Sequence, residues 1–584
     1  MVDSTKKQKP KNKLFATLKL TQIFGPTLTI VALLAVLFII LIHPMRIGFD
    51  QAKYMIMADM LWHGKTLYVD IIDLNPPLIC YISLIPSLAS TTFNIPAALA
   101  FSLFIWSLSV YCIAMLYVLM AKAREQLNWL LINTFTFSLA IYEFILVTDR
   151  LRLLFEWGQR EHIFMLTYWP FFLLRYLRWQ QIAVRPWLAI LIGAIAGCGM
   201  CLKPYFFIPA ILTELYWLIQ NKQIRPFIKI EIAAVAATAM LYTLHFKFLP
   251  AQEQHAYFDV LMPLTISGYK FFERSTMYLC NYNFTGSDQV LISSLCWAGL
   301  TFAFVRLESF LAPLCVVMLA SYFIYFIQGK GFPLHLFPMN QSTFLLQNMT
   351  LIVLYKTIRE QIVLALSSLK LPKRLLSFTR FATVATNLVG KNYIAGAIAA
   401  ATLTMWLGNG CWKDFKQTAA ATQFDLTSIG YGGTTSVDDL ALLAKPILEY
   451  TKEGDYVAII GESTEPNATT LLQLKRKSAT RHIDLTMLGP FRFVRDTLPR
   501  VWAKFPKQLD EFMNQLVEDI RNTSPVLVFL QSGQTTEWLN ESAFSKRSLA
   551  DYEQIGEEND FKIFKKKGAV RLDEMRVFHP TEPQ

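Results

Sequence analysis

The sequence predicts a polytopic α-helical membrane protein that carries a soluble α/β domain after its last span. Three observations predict this class. Of the 584 residues, 54% are hydrophobic and only 17% are charged, whereas a soluble protein carries about 25% charged residues. Several apolar runs reach the roughly 20 residues that a helix needs to cross a bilayer. After residue 410 the composition becomes that of a soluble protein.

The basic residues indicate membrane topology. The formal net charge is +12, but the lysines and arginines lie in short loops between apolar runs. That distribution is typical of topology signals, whereas a nucleic-acid groove needs one continuous basic surface. Nucleic acid is therefore excluded as a partner.

The N-terminal segment predicts an anchored chain. Residues 1–22 form a basic tail with six lysines, which favours the cytoplasm. The first apolar run, at about 23–43, is longer than a typical signal-peptide core and lacks a small-residue cleavage site, so we expect an uncleaved anchor. The sequence GFDQAKY, which follows this span, is then predicted to lie on the outer side of the membrane.

The count of spans depends on the segment PPLICYISLIPSLAS. It is apolar but only about 15 residues long and contains prolines, which predicts a helix lying at the membrane interface. The predicted cytoplasmic segments then hold 22 Lys and Arg against four acidic residues. If the segment crossed, two basic loops would move outside, against the positive-inside rule. Eleven spans follow, at about 23–43, 96–120, 130–148, 162–178, 186–202, 204–220, 227–248, 288–306, 309–327, 341–357 and 392–408.

Beyond this core (23–357), the chain divides into three parts. Residues 358–391 form a basic linker, predicted to be cytoplasmic and to contact anionic lipid. The last span, 392–409, leads to a predicted outer-face domain at 410–584. There EGDYVAIIG and SPVLVFLQS indicate buried strands, and VDDLALLAKPILEY and KQLDEFMNQLVEDI indicate amphipathic helices.

The first outer loop carries an unusual group of acids. Residues 48–78 contain Asp50, Asp59, Asp70 and Asp73. Asp50 begins a short predicted helix that ends near Gly64, and it is either the N-cap of this helix or a functional carboxylate. The other three acids are functional or simply solvated loop residues.

Other polar groups reach the same membrane face. At the mouth of the fourth span, FEWGQREHIF brings Gln159, Arg160, Glu161 and His162 within about one helical turn. Lys203 follows a Gly-rich span, where it either extends its amine to the surface or binds phosphate.

Another outer loop, QGKGFPLHLFP, adds Lys330 and His335. This Gly- and Pro-rich segment is either a plain turn or part of a site. Mixed acids and cations at one membrane face suit a lipid-linked phosphate substrate. The cations would neutralise phosphate charge, and a carboxylate would take a proton from an attacking hydroxyl.

These motifs, in this order, resemble the GT-C superfamily of polyprenyl-phosphate-sugar glycosyltransferases. The likeness is to the branch with the lipid A aminoarabinose transferase and the protein O-mannosyltransferases. The matching elements are FDQAKYMIMADMLWHGKTLYVDIIDLNPPL, the LKP after the glycine-containing span and QGKGFPLHLFP. The resemblance covers roughly residues 20–360, and a soluble outer domain after the last span is common in the family.

The resemblance implies an inverting sugar transfer from a polyprenyl-phosphate donor to an envelope acceptor, in a bacterial inner membrane. It implies that Asp50 is the base, that Glu161 is the acidic residue of the second outer loop, and that Lys203 contacts phosphate. Tyr54 and Asn75 fall within the matching first loop and are assigned to the substrate site.

Two departures from the family pattern are visible. Gln51 stands where the family usually has a second acid, so a metal is not assured. A divalent cation, if one binds, would be held by Asp50 and Glu161. The family's Glu-Lys-Pro is replaced by Asn75-Pro76-Pro77, and Arg160 or Lys330 are the candidates to supply the missing cation.

Two other classes stay open from sequence. A transporter or lipid flippase would place ionisable residues deep in its spans, and Glu143 and Glu214 are the main in-span acids. An envelope assembly protein would use the C-terminal domain as its working part. No nucleotide-binding glycine loop, HExxH motif or nucleophile elbow occurs. The oligomeric state is not predicted.

Overall fold

The protein is described here from a computed structural model, which covers residues 11–122, 129–281, 294–301, 309–368, 443–462, 464, 466–503, 505–541, 543–558 and 560–572. The predicted last span at 392–408 lies outside these residues, as do part of the span at 288–306 and most of the linker. The number of spans therefore stays a prediction.

The N-terminal two thirds of the described chain are helical. The helices are α1 (Lys11–Ile42), α2 (Phe49–Trp62), α3 (Leu78–Phe93), α4 (Ala97–Lys122), α5 (Trp129–Thr148), α6 (Arg150–Phe155), α7 (Arg160–Trp179), α8 (Pro186–Cys201), α9 (Phe207–Asn221), α10 (Ile230–Phe248), α11 (Ala251–Gln254), α12 (Met262–Gly268), α13 (Thr276–Asn281), α14 (294–301), α15 (Leu311–Gln328) and α16 (Phe337–Ser368). A π-helical turn, His255–Leu261, separates α11 from α12.

Four described helices are long and apolar enough to cross a membrane. They contain the segments Gly25–Ile42, Ala97–Ala121, Leu131–Thr148 and Leu311–Gln328. Three shorter apolar helices, α3, α8 and α10, accompany them. Large hydrophobic side chains such as Trp187, Leu241 and Phe248 are exposed on these helices, which a lipid environment explains better than water does. The protein is an integral membrane protein.

The predicted interfacial segment of the first loop is a helix, α3, and α2 precedes it. Gly48, with extended backbone angles, is the N-cap of α2, and Asp50 lies in the first turn. Asp50 is therefore not the helix cap, which was the structural alternative for this residue. Its carboxylate is still favourable there, because a helix N-terminus carries partial positive charge.

Helix α7 is the centre of the helical bundle. All of its residues are buried except Arg160 and Arg178, which are partly exposed. Its neighbour α8 packs closely on α10, where a Cβ on Gly193 would collide with the carbonyl oxygen of Glu231. Gly197 faces Thr238 of α10 in the same way. Small residues allow this close approach of helices.

The C-terminal part forms a five-stranded sheet with helices around it. The strands are β1 (Tyr456–Ile460), β2 (Lys477–Ser478), β3 (Leu527–Gln531), β4 (Tyr552–Glu558) and β5 (Phe561–Lys566), in the order β2-β1-β3-β5-β4. β1 is parallel to β2 and β3, whereas β5 is antiparallel to β3 and β4. The helices are α17 (Ala444–Tyr450), α18 (Asn467–Gln473), α19 (Leu488–Thr497), α20 (Pro499–Trp502), α21 (Pro506–Thr523), α22 (Gln534–Glu541) and α23 (Phe544–Ser548).

This α/β domain lies directly on the first loop. Gln473 Nε2 donates to the carbonyl of Met45 at 2.8 Å, and the Ile72 amide donates to the carbonyl of Arg481 at 3.0 Å. α18 packs against α2 as well. The domain therefore shares one end of the helical bundle with the first loop.

Candidate active site

Asp50 occupies a half-buried position beside the first turn of α7. Its Oδ2 accepts a hydrogen bond from Gln159 Nε2 at 3.2 Å. Burial raises the pKa of Asp50 above its ordinary value, and the charges of Arg160 and Lys53 limit that rise. A carboxylate with a raised pKa is a stronger base than a solvated one.

Gln51, which stands where the resembling family has a second acid, is fully buried and bonds to the loop before α7. Its Nε2 donates to the carbonyl of Trp157 at 2.6 Å. Its Oε1 accepts from Gln159 Nε2 at 3.3 Å. The amide thus joins α2 to the loop before α7, using a donor that a glutamate could not supply.

Arg160 connects the second outer loop to the first. Its Nη1 donates to Asn75 Oδ1 at 2.5 Å, and its guanidinium lies 6.0 Å from the centre of the Tyr54 ring. Asn75 is fixed from the other side, because its amide nitrogens donate to Asp73. Arg160 therefore stands next to the position where the family has its Glu-Lys-Pro element.

Glu161 and Lys203 form a buried ion pair. Glu161 Oε1 accepts from Lys203 Nζ, while Glu161 Oε2 is buried without a partner. Lys203 Nζ also lies 3.4 Å from Gln328 Oε1, to which Tyr205 donates at 2.9 Å. Burial lowers the pKa of Lys203 to about 7, although Glu161 opposes this shift.

Lys330 and His335 complete the cationic side of the site. The Lys330 ammonium lies 3.5 Å from the centre of the Tyr269 ring, and burial, with Arg160 nearby, lowers its pKa to about 8. His335 is buried, and burial together with the charge of Lys203 holds its pKa well below the ordinary value. His335 is therefore neutral at pH 7.

The structure brings together all eight residues predicted from sequence: Asp50, Tyr54, Asn75, Arg160, Glu161, Lys203, Lys330 and His335. Lys203 and Lys330 both lie close enough to Arg160 for its charge to act on them. Lys203 is buried and paired with Glu161, so its amine does not extend to the surface.

The residues do not fit a bound divalent cation. Gln51 carries no charge, Asp50 stands without a second acid beside it, and Glu161 is engaged by Lys203. Across the part of the chain that the structure describes, no group of three His, Cys, Asp or Glu side chains could hold a metal ion.

Three charged residues of the site region were not predicted. Lys53 Nζ lies between Asp73 Oδ2 at 3.2 Å and Asp484 Oδ2 at 2.8 Å. Asp73, which the sequence left as either solvated or functional, is buried. Lys53 lies in the quoted FDQAKY motif, three residues after Asp50, so helical spacing could have indicated it. Asp484 gave no signal, because it lies more than 400 residues further along the chain.

A buried polar group supports the loop before α7. His162 Nδ1 accepts from the Gly158 amide at 3.0 Å, so its Nε2 carries the proton and donates to Glu143 at 3.0 Å. Ser109 Oγ also donates to Glu143, at 2.6 Å. Gly158 has a φ of +72° and lies against Phe101, so this loop has a defined and unusual shape.

The whole fold is similar to a solved membrane protein. A crystal structure of ArnT from Cupriavidus metallidurans bound to undecaprenyl phosphate matches with a TM-score of 0.51 and 14% identity, over 93% of this chain and 97% of that one. ArnT in the apo state matches with a TM-score of 0.50 and 13% identity, over 95% and 98%. No family model and no curated protein sequence matches the chain.

A weaker likeness links the chain to an archaeal protein. The oligosaccharyltransferase AglB from Archaeoglobus fulgidus, in complex with an inhibitory peptide and a dolichol-phosphate, matches with a TM-score of 0.36 and 11% identity, over 87% of this chain and 69% of that one. The two ArnT matches show the fold. The chain thus has the fold of ArnT, which agrees with the fold that the sequence motifs led us to expect.

Proposed function

We propose that the protein is an integral membrane glycosyltransferase. It transfers a sugar from a polyprenyl-phosphate carrier to an envelope acceptor, which is a lipid, a glycan or a protein, on the non-cytoplasmic face. The observation that carries the proposal is the convergence of one half-buried carboxylate, Asp50, with three cations, Arg160, Lys203 and Lys330, at one end of an apolar helical bundle.

Asp50 acts as the general base in this proposal. The acceptor hydroxyl gives its proton to the Asp50 carboxylate while its oxygen forms a bond to the anomeric carbon. Burial raises the pKa of this carboxyl, which favours proton acceptance. Gln159 fixes one carboxylate oxygen and leaves the other for the acceptor. Because the attack is direct, the sugar inverts its configuration.

The cations serve the leaving group. As the bond from the anomeric carbon to the phosphate oxygen breaks, its electron pair stays on the polyprenyl phosphate. Arg160, Lys203 and Lys330 stabilise the resulting charge. Arg160 lies beside Asn75, where it supplies the cation that the family's Glu-Lys-Pro element would provide.

Unpartnered buried atoms mark where a polar ligand fits. Such atoms cost about 1–3 kcal/mol each when nothing pairs with them, and native proteins leave few. Several are spread over the described residues, and five of them lie together in the site: Gln159 Oε1, Arg160 Nε, Glu161 Oε2, Gln328 Nε2 and His335 Nδ1. Phosphate oxygens and sugar hydroxyls supply the acceptors and donors that these atoms lack.

The location follows from the same chemistry. A carrier phosphate stays at headgroup depth while its isoprenoid chain stays in hydrocarbon, so a site at one end of the bundle suits it. Similarity to ArnT, whose structure contains undecaprenyl phosphate, supports this class of carrier. We place the protein in a bacterial inner membrane, with the C-terminal domain on the periplasmic side.

The test uses purified protein in liposomes, a panel of polyprenyl-phosphate sugars and a crude envelope extract as acceptor. Release of free polyprenyl phosphate is followed for wild type and Asp50→Asn. Asp59→Asn is the matched control, since Asp59 lies on the same helix with an exposed side chain. We expect release by wild type and Asp59→Asn, and a loss of at least about 10²-fold in Asp50→Asn.

Two outcomes would redirect the assignment. Equal release by Asp50→Asn and wild type would place the base elsewhere, with Glu161 the next candidate. Absence of release from every donor, together with transbilayer movement of the carrier lipid, would show that the protein is a transporter.

A further inference from the structure

One contact between the α/β domain and the candidate active site is made through a buried cation, Lys53. Lys53 Nζ lies 3.2 Å from Asp73 Oδ2 and 2.8 Å from Asp484 Oδ2. Both carboxylates are almost completely buried, with side-chain exposures of 1% and 3%. Removal of one partner of a buried ion pair destabilises the fold, because the remaining buried charge is then uncompensated.

Lys53 and the candidate base belong to the same helical turn. Asp50 and Lys53 are three residues apart on α2, so their side chains lie on neighbouring parts of one helix face. Movement of Lys53 therefore moves the turn that carries Asp50. Asp73, the other partner of Lys53, accepts hydrogen bonds from the backbone and side-chain amides of Asn75. The side-chain oxygen of Asn75 in turn accepts a hydrogen bond from Arg160.

Asp484 is itself held in place within the domain. Its Oδ1 accepts from the Thr486 amide at 3.0 Å and from the Thr486 hydroxyl. Burial opposes ionisation of Asp484, but the charge of Lys53 and the hydrogen bonds from Lys53 and Thr486 together outweigh that effect and lower the pKa of Asp484. Asp484 is therefore a fixed anion facing the first loop.

A second contact joins the same part of the domain to the cationic side of the site. A Cβ on Gly268 would lie 2.5 Å from Pro490 Cβ, and one on Gly489 would lie 2.9 Å from Phe271. Tyr269, whose ring faces the Lys330 ammonium, lies between these two contact points. α19 of the domain thus supports the loop that holds Lys330.

We propose that the C-terminal domain is a positioning element of the active site, in which Asp484 holds Lys53 and thereby the turn of α2 that carries Asp50. The inference rests on the proposed function, because the reaction gives the position of Asp50 its importance. Asp484 is a positioning residue, since it acts on the site through Lys53 and touches no substrate. A C-terminal domain that only recruited the acceptor would need none of these contacts.

The test compares full-length Asp484→Asn with Glu553→Gln in liposomes. Glu553 is the matched control, because its exposed carboxylate pairs with Lys565 on the β4–β5 hairpin of the same domain. We expect Asp484→Asn to lower kcat by about 10- to 100-fold, as misplacement of a catalytic group does, with the KM for the donor nearly unchanged. Hydrogen exchange of the backbone amides of 49–62 is expected to be faster in Asp484→Asn than in Glu553→Gln.

A double-mutant comparison tests the route through Lys53. In a Lys53→Gln background, Asp484→Asn is expected to add less than about twofold to the loss, because residues that act through one contact are not additive. Thr486→Val keeps the charge and removes one support of Asp484. It is expected to cause smaller changes of the same kind, and it preserves the test if Asp484→Asn does not fold.

Hydrogen exchange separates this inference from the proposed function. If wild type transfers sugar from no donor, the proposed function fails, and exchange of 49–62 still decides whether Asp484 holds α2. Unchanged exchange in Asp484→Asn would overturn the inference. Faster exchange with unchanged kcat would also overturn it, because the domain would then bind the loop without positioning the base.

Discussion

Lys203 shows how burial and charge compete at a single residue. Burial lowers its pKa to about 7, while the adjacent Glu161 opposes this shift. The ammonium form is therefore present below about pH 7 and lost above it. A donor phosphodiester keeps its negative charge across this range, so the affinity of the site for donor depends on the protonation of the lysine.

We expect the KM for the donor to rise as the pH increases from 6 to 8.5. The protonated fraction of Lys203 falls about tenfold per pH unit above its pKa, which sets the upper limit of the effect. Initial rates at several donor concentrations measure it. In Lys203→Arg, whose guanidinium stays charged, the rise is expected only near pH 8, where Lys330 loses its proton. A constant KM in wild type would contradict this role for Lys203.

Gln51 is a second residue whose chemistry the structure explains. Gln51→Glu, which restores the family's acid pair, removes the donor to the Trp157 carbonyl and places a carboxylate against that carbonyl and Asp50. We expect destabilisation of about 1–3 kcal/mol and lower activity. Thermal unfolding of the purified protein measures the first effect, with exposed Gln252→Glu as control. An unchanged midpoint with higher, cation-dependent activity would show that a metal site had been restored.

At this scale the sequence predicted the residue types well and their partners poorly. Asp50, Glu161 and Lys203 were assigned by motif, and they do meet in space. The ion pair between Glu161 and Lys203 and the bond from Arg160 to Asn75 were not predicted, because they join loops more than 40 residues apart. Side-chain pairing across that distance depends on how the helices pack.

Helix α7 joins two polar groups of different purpose. Its first turn carries Arg160 and Glu161 in the site. About 22 Å along the helix, at 1.5 Å per residue, Arg175 binds Glu214 at 2.6 Å and Glu231 at 2.6 Å. Glu214, one of the two main in-span acids, is thus the partner of a structural arginine. Glu143, the other, bonds to His162 and Ser109.

Removal of Arg175 tests the structural role of this cluster. Arg175→Met leaves the buried Glu214 without its arginine partner and Glu231 with Arg178 alone. We therefore expect a loss of about 3–5 kcal/mol in stability. Arg178→Met, which keeps Arg175 bound to both acids, should cost less. Unfolding in detergent gives the stability, and activity per folded molecule is expected to stay unchanged. A selective loss of lipid movement with normal stability would instead favour transport.

Element prediction succeeded where hydropathy dominates. Within the described residues the apolar runs are helices, and the strands predicted in EGDYVAIIG and SPVLVFLQS are β1 and β3. The hairpin β4–β5 was not predicted, because β4, with the sequence YEQIGEE, is polar and mostly exposed. Such an edge strand forms through pairing with its neighbour and has no apolar pattern of its own. Part of VDDLALLAKPILEY lies outside the described residues, and its end is α17.

On the scale of the whole molecule, the sequence predicts on which side each loop lies, and the structure shows which parts share one end of the bundle. Basic residues concentrate in alternate loops of the sequence, which the positive-inside rule assigns to the cytoplasm. In the structure, the C-terminal domain contacts the first loop at Met45 and Ile72, so both lie at the same end of the bundle. The site, the domain and the acidic loops therefore belong to one compartment.

Cysteine accessibility in intact cells tests that arrangement. In a chain whose eight native cysteines are replaced, single cysteines are introduced at Lys65 in the first loop, Glu553 in the domain and Lys222 in a basic loop. All three positions are exposed. An impermeant maleimide is expected to label Lys65→Cys and Glu553→Cys directly, and Lys222→Cys only after the inner membrane is permeabilised. Equal labelling of Lys222→Cys in intact cells would show that the predicted topology is wrong. Labelling of only one of the first two would mean that the domain does not share the side of the site, and the contact between Asp484 and Lys53 could then not form in the cell.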